Sequence, residues 1–510
     1  MNTDSRTKNS ARNAFLGIIF QIINILCSFI VRTIFITCLS ASYLGINGLF
    51  TNILSLLSLA DLGFDTAIIY SLYKPISENN TQKISALMNY FKKIYNIIGF
   101  LVLVFGLGLI PFLKYIINLQ SNIGNITVYY ILYLLNTSFT YLLANRVAII
   151  NADQRMYIVK RISFVFSIIQ MFLQSICLII FHSFIMYLII QIICTLAKNI
   201  YGAIKANKLY PFLKNNKFEL NSDEKKEIFN NTKSFMIYKI GGVILNDTDN
   251  ILISSLILTE IVGIYSNYTI IISAFTTMIT LFFSSMLASI GNLNVNSSEK
   301  KQEEILYKIK FLSVWVYGVC SICLFLLLND FIYLMWGEEY VMNIIIPLAA
   351  LINFLIVGLI HPFRLYRETT SAFKEIKYIY LITSVINLIL SFILAKIMPT
   401  IELKLFGIII ATAIARLLTN YWVEPKKIIN IVFKKSSLSY FKENILDIFI
   451  ILFCGIITYL CVSNIIVNNW LILIVKSFVC FLISNLLFVL AYRKNENFKF
   501  YINLLKKIKK

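Results

Sequence analysis

The sequence predicts an all-α polytopic membrane protein of about 14 transmembrane helices: two pseudo-symmetric six-helix lobes followed by two C-terminal helices. Three observations carry this. The chain is 58% hydrophobic and 14% charged, and its apolar runs repeatedly exceed the ~20 residues a helix needs to cross a bilayer. A membrane β-barrel would instead give weak alternating segments of ~10 residues. Lysine and arginine gather in every second connection between the runs. Finally, a polar stripe in the first two runs returns 218 positions later in the same register.

The predicted spans are 13–39, 44–72, 88–113, 124–150, 157–181, 183–204, 233–257, 262–290, 305–329, 340–363, 376–398, 405–423, 445–466 and 468–491. The first is read as a retained anchor, because it is longer than the apolar core of a cleaved leader. Basic residues precede the first span (Arg6, Lys8, Arg12) and follow the second (Lys74, Lys83, Lys92, Lys93). They follow the fourth (Arg146, Arg155, Lys160, Arg161) and crowd the sixth-to-seventh loop. The intervening loops hold few, mainly Lys114, Lys396, Lys404 and Lys476. By the positive-inside rule both termini are expected in the cytoplasm. The net charge of +21 therefore reports topology and attraction to anionic lipid, not a nucleic-acid site.

In the first span Gln21, Asn24, Ser28 and Arg32 share a helix face. In the second, Asn47, Thr51, Ser55 and Ser58 do, leading to Asp61 and then Asp65. Setting Gly45-Ile46 against Gly263-Ile264 places Gln21 on Lys239, Asn24 on Gly242, Ser28 on Asn246 and Arg32 on Asn250. Asn47 falls on Tyr265, Thr51 on Thr269, Ser55 on Ser273 and Ser58 on Thr276. Hydrocarbon cannot satisfy such stripes. They are expected to face a hydrophilic cleft shared by two duplicated bundles.

The expected domains are an N-lobe at 1–207, a cytoplasmic linker at 208–232, a C-lobe at 233–442, the two extra helices at 443–492 and a basic tail at 493–510. In the linker Asn221 with Glu224 three residues on has capping-box spacing, predicting a helix start. The tail carries Phe498, Tyr501, Leu505 and Ile508 at three- and four-residue steps among lysines. This fits a helix in the headgroup region or a disordered basic tail. The nine cysteines sit mostly in apolar runs, and Cys320 and Cys323 have no second pair to complete a zinc site. Neither a metal site nor a catalytic residue is expected.

The run Tyr43-Leu44-Gly45-Ile46-Asn47-Gly48-Leu49-Phe50, then Leu57-Ser58-Leu59-Ala60-Asp61-Leu62-Gly63 and Tyr70-Ser71-Leu72-Tyr73-Lys74-Pro75, resembles the start of bacterial polysaccharide-export flippases of the MOP (multidrug, oligosaccharidyl-lipid, polysaccharide) exporter superfamily. Asn246-Asp247-Thr248-Asp249-Asn250-Ile251 and Val262-Gly263-Ile264-Tyr265-Ser266-Asn267-Tyr268 resemble the start of the second half. The resemblance implies two six-helix lobes around a cavity that opens to alternate sides. It implies a non-enzymatic carrier in the bacterial cytoplasmic membrane, moving undecaprenyl-diphosphate-linked oligosaccharides outward for O-antigen, capsule or similar surface polysaccharide. Its implied partners are that lipid-linked oligosaccharide, membrane lipids and other polysaccharide-assembly proteins. No cofactor is implied beyond a coupling proton or sodium ion.

Arg32 is the first candidate substrate ligand. A cation in the bilayer needs a partner, and its planar fork fits diphosphate oxygens; a salt bridge pinning the lobes is the structural alternative. Lys239 is the second, with snorkelling to headgroups as its alternative. Asn24, Asn47, Asn246, Tyr265 and Thr269 offer neutral donors and acceptors to sugar hydroxyls. Asp61 and Asp249 are candidates for ion coupling or inter-lobe pairing; Asp247, two residues from Asp249, points to another face. The rival readings are a drug or cation antiporter of the same superfamily and a membrane polysaccharide polymerase. The short outward loops and the lack of a soluble catalytic domain disfavour the polymerase.

Overall fold

The computed structural model describes residues 6–58, 64–213, 218–370 and 373–508. The described residues form twenty α-helices and no strand. The chain divides into two compact units, Met1–Gly263 and Ile264–Lys510.

The first unit holds α1 (Arg6–Cys38), α2 (Ala41–Leu57), α3 (Phe64–Ser77), α4 (Thr81–Leu109), the short α5 (Leu113–Ile116), α6 (Ile126–Tyr141), α7 (Ala144–Ala152), α8 (Met156–Phe181), α9 (Phe184–Leu209) and α10 (Ser222–Leu256). Next, α11 (Thr259–Ser284) starts in this unit and continues into the second. There follow α12 (Leu287–Asn296), α13 (Glu299–Trp336), α14 (Ile345–Thr370), α15 (Phe373–Ile397), α16 (Ile401–Leu418), α17 (Asn420–Phe433), α18 (Leu438–Val462), α19 (Trp470–Tyr492) and α20 (Glu496–Ile508).

Each predicted span coincides with a helix or a broken pair. Among the described residues, ten helices are long and apolar enough to cross a bilayer, and the pair α6–α7, bent by 45°, makes an eleventh. The bend sits at Leu143, which adopts a left-handed φ of 66°, a conformation costly for a branched side chain. The three predicted spans outside that set have physical reasons. In the second, α2 ends at Leu57, residues 59–63 lie outside the described set and α3 starts only at Phe64. In the seventh, α10 carries Lys239, Asn246, Asp247, Asp249 and Asn250. In the twelfth, α16 carries Glu402, Lys404 and Arg416.

Helix starts follow the expected capping chemistry. Asn221 Oδ1 accepts from Glu224 N–H at 2.8 Å while Glu224 Oε2 accepts from Asn221 N–H at 3.0 Å. This is the reciprocal box predicted from the sequence. Asn80 and Asn469 cap α4 and α19 through single side-chain acceptors. The expected linker at 208–232 leads directly into α10. Helix α10 packs along α2 and joins the first unit, anchored at its start by Glu224 paired with Lys83 and, just upstream, Glu219 with Lys93 at 2.7 Å.

In the first unit Leu44, Ile46, Leu49 and Phe50 of α2 are buried. Phe50 meets Tyr130 of α6 edge-on at 5.2 Å, and Tyr43 meets Phe184 of α9 at the same distance. In the second unit Tyr317 lies 4.9 Å from Phe354, and Phe363 lies 4.8 Å from Tyr440. A file of buried polar contacts links α14, α15, α16 and α17. Arg367 pairs with Glu424, both fully buried, and Tyr380 OH donates to Glu424 Oε2 at 3.3 Å. Thr383 donates to Asn420 Oδ1 at 2.6 Å, and Asn387 donates to Thr412 Oγ1 at 2.9 Å.

The tail forms the amphipathic helix α20 and docks on the start of α13. Phe498 stacks on Trp315 at 5.5 Å, and Tyr501 OH donates to the Lys308 carbonyl at 3.1 Å. Burial pushes the Tyr501 phenol up to about 12.

Candidate functional site

The candidate residues lie on α1, α2 and α10 in the first unit, while Tyr265 and Thr269 of α11 belong to the second. Helix α1 leans on α8, with Phe20 stacked on Phe164 at 4.4 Å. This contact orients its polar residues. Arg32 is half-buried, donates from Nη2 to the Gly263 carbonyl at 3.3 Å and lies within electrostatic reach of the Tyr187 phenol. One turn back, Ser28 Oγ donates to its own helix at Ile25 O. Asn24 Oδ1 is buried and has no hydrogen-bond partner among the described residues.

The α2 stripe divides between two neighbours. Asn47 turns toward α6, where Tyr133 OH donates to its Oδ1. Thr51 bonds back to the Asn47 carbonyl at 2.7 Å. One turn further on, Ser55 donates to Asp247 Oδ2 at 2.5 Å, and Asn52 donates to Asp247 Oδ1 at 3.1 Å. Asn52 in turn accepts from Asn250 at 2.9 Å. The link between α2 and α10 is therefore a four-residue network, Ser55–Asp247–Asn52–Asn250. Removing its only carboxylate leaves two donors in apolar surroundings. Asp247→Ala is expected to cost about 1–3 kcal/mol and Asp247→Asn less, read as thermal unfolding of the detergent-purified protein.

The remaining candidates are placed as follows. Asn246 is exposed and donates to the Gly242 carbonyl at 2.7 Å within α10. Lys239 is half-buried two turns before it, and Asp249 is half-buried as well. On α11 Tyr265 is buried, and Thr269 Oγ1 donates to the Ser266 carbonyl at 3.2 Å. Asp61 lies outside the described residues, as does the side chain of Asp65.

Sequence reasoning favoured Asp249 over Asp247 because Asp249 extends the stripe. Asp247 is itself bound by Ser55 and Asn52 of α2, and Asn52 sits one residue off the assumed α2 face. An asparagine inside an apolar run was the available signal. Glu260 was also missed. In the first turn of α11, where the helix dipole favours an anion, its Oε1 accepts from Gln120 N–H at 2.9 Å and Ser42 Oγ at 3.3 Å. Around it, Thr259 exchanges hydrogen bonds with the Asn118 backbone, and Asn118 Nδ2 donates to the Ile257 carbonyl at 2.7 Å.

Two of these contacts join positions 218 apart, the register of the sequence duplication. Ser42 meets Glu260, and Gly45 meets Gly263. A Cβ on Gly263 would lie 2.4 Å from the Ala41 carbonyl oxygen and 2.7 Å from Gly45 N. A Cβ on Gly45 would lie 2.0 Å from the Thr259 carbonyl oxygen. The backbones of α2 and α11 cross at a distance only glycine permits.

No protein-family model and no curated protein matches the sequence. Solved structures do. An inward-facing multidrug resistance MATE family transporter of the MOP superfamily aligns with TM-score 0.62 at 12% identity, over 83% of this chain and 99% of that one. The lipid II flippase MurJ in an inward closed conformation aligns with TM-score 0.64 at 14% identity, over 94% of this chain and 99% of that one. A point mutant of the Vibrio cholerae MATE transporter VcmN aligns with TM-score 0.57 at 14% identity, over 83% of this chain and 98% of that one. The chain therefore has the fold shared by the MATE transporters and MurJ.

Proposed function

We propose that this protein is a flippase that moves undecaprenyl-diphosphate-linked oligosaccharide across the bacterial cytoplasmic membrane by alternating access, with both termini in the cytoplasm, for surface-polysaccharide synthesis. The observation that carries the reading is the extent of the structural match. The lipid II flippase aligns over 94% of the chain, against 83% for the MATE transporters above. This is in keeping with α18 and α19 lying beyond the first twelve predicted spans. An apolar groove of about 470 Å³ between α13, α14 and α18, walled by Phe325, Leu348, Ile352 and Ile456, supports a long isoprenoid cargo. In this reading Arg32 and Lys239 meet the diphosphate. Asn24, Asn47, Asn246, Tyr265 and Thr269 pass sugar hydroxyls, and Asp61 and Asp249 are left for a coupling proton or sodium ion.

The MATE likeness keeps a drug or cation antiporter as the second reading. The test is Arg32→Ala in cells. A charge-assisted contact is worth ~1.5–3 kcal/mol, so surface-polysaccharide export is expected to fall roughly tenfold or more at unchanged membrane abundance. The undecaprenyl-linked precursor should accumulate on the inner leaflet. Normal export, or drug sensitivity without precursor accumulation, would favour the antiporter.

A further inference from the structure

We propose that a groove between α8 and α9 in the first unit is a binding site for one anionic glycerophospholipid, its phosphate held between Arg161 and Lys205. The groove encloses about 580 Å³ and is lined by Tyr157, Arg161, Val165, Phe166, Tyr201 and Lys205, among others. Arg161 lies five residues after the start of α8 and Lys205 four before the end of α9. At 1.5 Å per residue both cations sit ~6–8 Å in from their helix ends, the depth of the interfacial layer beside a ~30 Å hydrocarbon core. Both helix ends belong to the basic side of the protein. Two cations at one depth therefore face the layer where phosphodiesters are found.

The local acid is already engaged. Asp153 pairs with Arg155 at 3.1 Å and accepts from Tyr210 OH at 2.7 Å. Neither Arg161 nor Lys205 has an ion-pair or hydrogen-bond partner among the described residues. Deeper along the same helices the side chains change to oil. Val165, Ile169 and Phe172 follow Arg161 along one face of α8 and are exposed, the surface an acyl chain covers. Basic pockets between transmembrane helices on the cytoplasmic side are a known physical solution for anionic headgroups. A single negative phosphodiester with two chains matches this arrangement of two cations above an apolar wall.

The test uses the full-length protein in nanodiscs of phosphatidylcholine with a minority of phosphatidylglycerol, read by native mass spectrometry after mild delipidation. One phosphatidylglycerol is expected to stay bound while phosphatidylcholine is lost. With ~1 kcal/mol per cation, Arg161→Gln with Lys205→Gln should weaken retention about thirtyfold. The exchange Arg161→Lys with Lys205→Arg should preserve it. Lys499→Gln with Lys506→Gln on α20 serves as a distant control that leaves it unchanged. If the double glutamine variant does not fold, each single change is measured alone, with about fivefold weakening expected. Equal retention of both lipids by the wild type, or undiminished phosphatidylglycerol on the glutamine variants, overturns the proposal. So does displacement of phosphatidylglycerol by added undecaprenyl diphosphate, which would assign the groove to the transported cargo.

Discussion

Replacing Arg367 with alanine is expected to destabilise the second unit by about 3–5 kcal/mol, because it strands a buried carboxylate. Arg367 and Glu424 are both fully buried. Beside the pair, Tyr380 OH donates to the second carboxylate oxygen at 3.3 Å, and its ring lies 5.6 Å from the guanidinium. Once the cation is gone, the carboxylate keeps the Tyr380 hydrogen bond but loses its buried counter-charge. Glu424→Ala leaves the opposite orphan and should cost as much. Changing both partners to methionine removes both charges and keeps the volume filled, so it is expected to cost far less than either single change. Unfolding in detergent of the wild type, Arg367→Met, Glu424→Met and the double methionine variant forms a double-mutant cycle. Additive losses, with the double variant worse than either single one, would show that the pair is not coupled.

The pair also shows where sequence reasoning stops. Helix positions were legible because apolar runs longer than 20 residues and alternating basic loops depend on local composition alone. The start of α10 was legible for the same reason, since Asn221 and Glu224 sit within one turn. Partnership between distant residues was not. Arg367 and Glu424 stand 57 positions apart, and nothing local marks one as the other's partner. On α2 the stripe was drawn as one face, yet Asn47 turns to Tyr133 on α6 while Ser55 turns to Asp247 on α10. A helix packed between two neighbours spreads its polar groups over both. Periodicity shows that a stripe needs polar company but not which helix supplies it. The repeat register carried more. Aligning Gly45 with Gly263 was a statement about sequence, and the structure puts those two residues in contact.

That contact sets the last prediction: Gly45→Val should abolish transport. Its Cβ would sit 2.0 Å from the Thr259 carbonyl oxygen, and the reciprocal Cβ on Gly263 would sit 2.4 Å from the Ala41 carbonyl oxygen. Both obstacles are backbone, which cannot swing aside as a side chain does. Overpacking of this kind costs about 1–3 kcal/mol or more and must push α2 away from the start of α11. The hydrogen bond that Glu260 receives from Ser42 of α2 would then lengthen. Cysteines at positions 42 and 260 report the separation directly. The pair Ser42→Cys with Glu260→Cys should cross-link in the otherwise native chain and fail to do so when Gly45→Val is added. Gly242 is the control, since a Cβ there meets nothing within 4 Å. Gly242→Ala should leave cross-linking and transport intact and gain up to ~1 kcal/mol of helix propensity. Cross-linking and transport that persist with valine at position 45 would mean that the close crossing is not required.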